Sequence, residues 1–98
     1  MQPTTPNRGP SDDPQILALS ALAATLGDER RAQRFLDLTG IGTDELRQRA
    51  DDPRLLASLI AFLEAHEPDL VAVAAALEVQ PSALAAARRQ LDPDGEVQ

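Results

Sequence analysis

The chain has 98 residues, 43% of them hydrophobic and 26% charged, with a formal charge of −7, the composition of one small globular domain and not of a disordered segment. The absence of cysteine excludes a disulfide framework, a thiolate zinc site and a cysteine nucleophile, and a lone His66 excludes a two-histidine centre within one chain. With no Trp or Tyr and only Phe35 and Phe62, base-stacking platforms and aromatic cages have almost nothing to be built from.

Residues 1–12 hold three prolines and no large apolar residue after Met1; they read as a disordered tail and lack the apolar run of a secretory signal. Residues 13–91 read as a single helical domain and residues 92–98 as a second tail. Proline follows Asp13, Asp52, Glu67 and Gln80, each time just ahead of an apolar-rich run. Proline at a first helical position loses nothing, because that amide has no intrahelical partner, and an aspartate before it can cap the next amides. Gly27 and Gly40 close two runs where a left-handed residue is expected, and Thr43 precedes Asp44 and Glu45 as an N-cap. These signals predict helices over 14–26, 29–39, 44–50, 53–65, 68–78 and 81–91, and no segment alternates as a strand does. The fold class is therefore all-α, a compact bundle of about six short helices joined by loops short enough to make neighbours pack. In the first helix Ile16, Leu19, Ala23 and Leu26 form one apolar stripe, expected to face the core.

The two halves match at offsets of 38 and 39 residues. Asp13-Pro14-x-Ile16-Leu17-Ala18 parallels Asp52-Pro53-x-Leu55-Leu56-Ala57, and Ile41-x-Thr43-x-x-Leu46 parallels Val79-x-Pro81-x-x-Leu84. The match fits a pseudo-repeat of three-helix halves, and it equally fits two Ala/Leu-rich helices that align by composition.

The fourth and fifth helices carry an apolar excess. Between Arg54 and Glu64 the only polar side chain is Ser58, and between Asp69 and Glu78 there is none. A helix that is apolar all round is normally buried all round, and a chain this short surrounds two such helices with difficulty. The excess points to an association surface on the fifth helix with part of the fourth, at Leu70, Val71, Val73, Ala74 and Leu77; alanines facing water offer the plainer account. The longest apolar run, Leu55 to Leu63, is about half the roughly 20 residues of a membrane span, so a cytoplasmic protein is expected. All nine basic residues are arginine, a compositional mark of a GC-rich bacterial genome.

Residues 1–50 carry six arginines against seven acids, net −1, and residues 51–98 three against nine, net −6. Arg30, Arg31, Arg34 and Arg47 form a candidate charged patch around Gly40-Ile41-Gly42, a turn resembling the phosphate-facing hairpin of helix-hairpin-helix DNA-binding modules. Against nucleic acid stand Leu46 where that motif has a small residue, the acids Asp44 and Glu45 beside the turn, and the acidic whole. A solvated face, with Arg34 pairing Asp37 along its own helix, accounts for the arginines more simply. Arg88 and Arg89 suit the end of the last helix. Glu64, His66, Glu67 and Asp69 cluster between two helices but lack the two histidines four apart of a zinc helix, and a capped loop accounts for them. No catalytic residue, metal ligand or cofactor site is indicated, and an enzyme is not expected.

Asp13-Pro14, Arg34-Phe35-Leu36-x-Leu38-Thr39-Gly40, Thr43-Asp44-Glu45-Leu46-Arg47-x-Arg49-Ala50, Leu63-Glu64 and Pro81-x-x-Leu84-Ala85-x-Ala87-Arg88-x-x-Leu91 occur in an order that resembles a family of small uncharacterised alphaproteobacterial proteins, grouped as a domain of unknown function. The resemblance spans residues 13–91. It implies an all-helical, cytoplasmic, bacterial protein and carries over no catalytic residue. The expected role is a non-catalytic protein-interaction or regulatory domain that binds a protein partner or a second copy of itself through residues 53–78, without a membrane. A nucleic-acid-binding turn at Gly40–Gly42 is the alternative.

Overall fold

Asp13 opens the first helix as its residue type requires: Oδ1 accepts the amides of Gln15 at 2.9 Å and Ile16 at 3.4 Å, while Pro14 takes the first helical position. The computed structural model describes residues 13–93. Six helices follow in order: α1 (Pro14–Leu26), α2 (Glu29–Thr39), α3 (Thr43–Gln48), α4 (Pro53–Glu64), α5 (Glu67–Leu77) and α6 (Pro81–Leu91). No strand occurs among the described residues. The tails expected at 1–12 and 92–98 lie outside the described residues, except for Asp92 and Pro93.

Capping explains most boundaries. Asp28 and Asp52 accept the amides of Arg31 and Arg54 at 3.1 Å and 3.0 Å, satisfying donors that a helix start leaves without a partner. Two expectations about caps need correction. Gly27 is right-handed, with φ −73°, because the chain turns straight into α2 and Gly27 donates back to Ala23 at 3.0 Å. Thr43 is not a cap; it is the first residue of α3, Gly42 holds the N-cap position, and no side chain caps that helix. Gly40 does adopt the left-handed conformation, φ 73°. So does Glu78, at φ 60° and ψ 42°. There the Glu78 amide donates to the Ala75 carbonyl at 3.1 Å and the Val79 amide to Ala74 at 3.0 Å, the paired closure that usually requires glycine.

The core is organised on α4, where Leu55, Leu56, Ala57, Leu59, Ile60, Phe62 and Leu63 are all buried. α1 and α6 pack on it and on each other, and α5 packs against all three. α4 thus has no free apolar face, which removes it from the association surface expected over 53–78. α2 and α3 sit at the edge of this assembly, held by Phe35 and Leu46. The Phe35 ring meets Phe62 edge-on, 5.3 Å between centroids and 64° between planes, and its full burial contributes about 2–3 kcal/mol. The domain measures 48 × 29 × 27 Å. The pseudo-repeat is not confirmed. α3 has six residues at the periphery, whereas α6, its counterpart, has eleven and packs into the core.

α1 departs from its expected orientation. Leu17, Ala18, Ala21, Leu22 and Thr25 face the core, while Ile16, Ala23 and Leu26 are exposed and Leu19 is half-buried. The helix is apolar on nearly every side, so spacing alone cannot choose between its two stripes. Thr25 can be buried because its hydroxyl donates to the Ala21 carbonyl at 2.8 Å.

Candidate interaction surfaces

Asp69 is the one acid on the inward side of α5, one turn before the buried Val73, and it is only 7% exposed. Two arginines and an imidazole converge on it. Arg31 Nε–H donates to Oδ1 at 3.0 Å, Arg34 Nη2 pairs with Oδ2, and His66 Nδ1 lies 3.0 Å from Oδ2. Burial opposes ionisation, but the bonds from Arg34 and Arg31 outweigh it and hold the carboxyl below its usual range. The Arg34 guanidinium also lies over the Phe62 ring, 5.4 Å from its centroid. This cluster clamps α2 to α5, across the start of the helix that was expected to associate.

The four arginines differ in their engagement. Arg31 and Arg34 both pair with Asp69, Arg31 largely covered and Arg34 with its side chain still 47% exposed, and Asp37 instead accepts from Gln33 at 2.9 Å. Arg47 pairs with Asp44 at 3.4 Å, both side chains well exposed. Arg30 is exposed and has no ion pair among the described residues. Arg88 pairs with Glu64, tying α6 to α4, where a role at the helix end alone had been expected. At the turn, the Gly40 amide donates to Leu36 at 2.8 Å and the Ile41 amide to the Thr39 hydroxyl at 3.3 Å. Two of the amides that a phosphate would need are thus engaged within the chain, and Ile41 is half-buried against the core. Of the loop cluster, Glu64 is taken by Arg88 and His66 by Asp69. No group of three or more His, Cys, Asp or Glu side chains among the described residues is placed to hold a metal.

The five expected interface residues divide. Val73 and Ala74 are each 1% exposed and belong to the core, and Leu70 and Leu77 are half-buried against it. Val73 and Ala74 cannot meet a partner while the fold stands, because their helix turns that side inward, and Leu70 and Leu77 keep only part of their surface at its edges. Val71, 47% exposed, is the only one of the five that faces outward. With it stand Pro68, Ala72, Ala75 and Ala76, all exposed. Sequence reasoning found the helix and missed which side was available, because the one acid within the apolar run's first turn, Asp69, shares its i, i+4 side with the buried Val73 and so marks no wet face.

A second apolar feature lies between α1, α2 and α3. A groove of about 410 Å³ is lined by Leu22, Leu26, Ala32, Leu36, Leu46 and Ala50, with Thr43 and Arg47 at its edge. Leu26, 39% exposed, joins it to the outward stripe of α1, which begins at Ile16, 47% exposed. No single helix among the described residues is long and apolar enough to cross a membrane. α5 and α6 pass that test only as a pair bent by 97°, and Val73, Ala74, Leu84 and Ala87 of that pair are buried in the fold.

The family model described as "Protein of unknown function (DUF3572)" matches residues 11–94, and the chain belongs to that family. No curated protein and no solved structure matches it.

Proposed function

We propose that this member of the DUF3572 family is a non-catalytic docking domain whose outward α5 face, Pro68, Val71, Ala72, Ala75 and Ala76, receives an apolar helix flanked by basic residues. The observation that carries the reading is an exposed helix side without one charged residue, on a helix rigidly held by its other side. Small side chains let a partner backbone approach closely, and Val71 supplies a protruding contact. Charge selects the partner. α5 carries Glu67, Asp69 and, at its end, Glu78, and no cation, and residues 51–98 carry net −6. Pairing α5 with a second copy would set glutamate beside glutamate in either orientation, whereas lysines or arginines flanking a partner helix would be attracted.

The test is titration of a synthetic helical peptide with a leucine-alanine face and lysines at both ends, followed by peptide fluorescence anisotropy. The expected result is saturable, salt-sensitive binding, absent for the same peptide with glutamates at its ends and weakened at least tenfold by Val71→Asp. The added carboxylate would strengthen mere charge attraction to a basic peptide, so its loss of binding reports the apolar face. Equal binding by wild type and Val71→Asp overturns the proposal.

A further inference from the structure

Glu78 departs from two local preferences at once. It holds a left-handed backbone conformation, φ 60° and ψ 42°, which glycine adopts freely and a residue with a Cβ does not. It also sets a negative charge at the carbonyl end of α5, where the helix dipole favours cations and where the last turn has no basic residue. Nothing within the described fold offsets this: the Glu78 side chain is exposed and has no hydrogen bond or ion pair among the described residues. A residue held against both preferences points to a use outside its own fold.

Its position supplies that use. Glu67, Val71 and Ala75 follow one another at four-residue spacing along the outward side of α5, and Glu78 closes the row three positions on. All four are exposed. The third acid of this helix, Asp69, is taken by Arg31, Arg34 and His66, whereas Glu67, like Glu78, has no such partner among the described residues. Two uncommitted carboxylates thus bracket the apolar face, eleven positions apart and so about 16 Å along the helix axis.

We infer that Glu67 and Glu78 select a partner helix that lies along α5 and not across it, with two cations eleven positions apart at the margin of its apolar side. A helix crossing steeply touches α5 at one point and reaches one acid at most. One running alongside has the same rise per residue, so positions three turns apart return to the same side and stand over both acids. The small Ala72, Ala75 and Ala76 let such a helix stay close over its length. The inference rests on the α5 docking reading and adds to it the partner's direction and charge spacing.

The experiment compares two synthetic helical peptides of identical composition by fluorescence anisotropy against the full chain. One has its two lysines eleven positions apart, the other four apart at one end, and circular dichroism matches their helicity. The expected result is about threefold to fivefold tighter binding of the first, the effect of one exposed ion pair. Glu78→Gln, which removes the charge and keeps the side-chain shape, should abolish that preference. Glu78→Gly should abolish it too while raising the thermal midpoint, so that binding and stability move in opposite directions; a purely structural role would move them together. Equal binding of the two peptides by wild type, or a preference that survives both Glu78 changes, overturns the inference and leaves the docking reading to its Val71→Asp test. Failure of both peptides to bind overturns the two together.

Discussion

Asp69 and Arg31 lie 38 positions apart, on different helices, and are joined by a hydrogen bond of 3.0 Å that is partly buried. The Arg34 guanidinium and the His66 imidazole meet the same carboxylate. Removing a buried charge's partner leaves the remaining charges without compensation, so Asp69→Asn should destabilise the domain by about 2 kcal/mol. Urea unfolding followed by circular dichroism measures it; a change near zero would show that water replaces the carboxylate without cost.

The same carboxyl sets a pH dependence. Its folded pKa is held below the unfolded value of about 3.9, so folding binds the ionised form more favourably. The contribution is fully present above about pH 4 and is lost as pH falls through the folded value. Stability measured against pH should therefore decline more shallowly below about pH 4 in Asp69→Asn than in wild type. Identical acid limbs would assign the decline to other acids, of which Asp52, lowered by its bonds from Arg49 and from the Arg54 amide, is the next.

Glu78 occupies a left-handed conformation that costs a residue with a Cβ about 1 kcal/mol. Glycine adopts it freely, so Glu78→Gly should stabilise the protein by about 0.5–1 kcal/mol despite the added freedom of the unfolded chain. Thermal unfolding would register the gain as a higher midpoint, and a lower one would mean that the Glu78 side chain contributes more than its backbone costs.

Phe35 is the main apolar anchor of α2, fully buried against Phe62. Phe35→Ala should cost about 3–5 kcal/mol, and the loss should be uneven. Native-state hydrogen exchange should show amides of α2 and α3 opening first while α1, α4, α5 and α6 keep their protection, because those four helices pack on one another. Uniform loss of protection would show a single cooperative unit.

Val71 and Val73 are two positions apart and face opposite ways. An aspartate at Val73 places an unpaired charge in the core and should abolish the folded state. At Val71 it meets water and should change stability by no more than about 0.5 kcal/mol. Comparable midpoints for the two variants in thermal unfolding would contradict the observed orientation of α5.

Local chemistry explains which features were legible beforehand. The boundaries of α1, α2 and α6 and the starts of α1 and α4 follow from Asp, Pro and Gly within a few residues of each end. Gly27 and Thr43 were misread because other closures served: a right-handed turn leads directly into α2, and the Gly42 backbone starts α3. The left-handed Glu78 carries no residue-type signal at all. At the candidate site, Val71 was identified together with Val73, Ala74, Leu70 and Leu77, because a helix with apolar residues on every side has no periodicity from which to infer its inward face.

What the sequence by itself determined is the all-helical class, the six helices and the caps at Asp13, Asp52 and Gly40, since those depend on interactions spanning four residues or fewer. Which side of α1 and of α5 meets solvent was decided only by the tertiary structure. So were the convergence of Arg31 and Arg34 on Asp69 and the pairing of Arg88 with Glu64. These link residues 24–38 positions apart, and their geometry exists only once the core around α4 has brought the helices together.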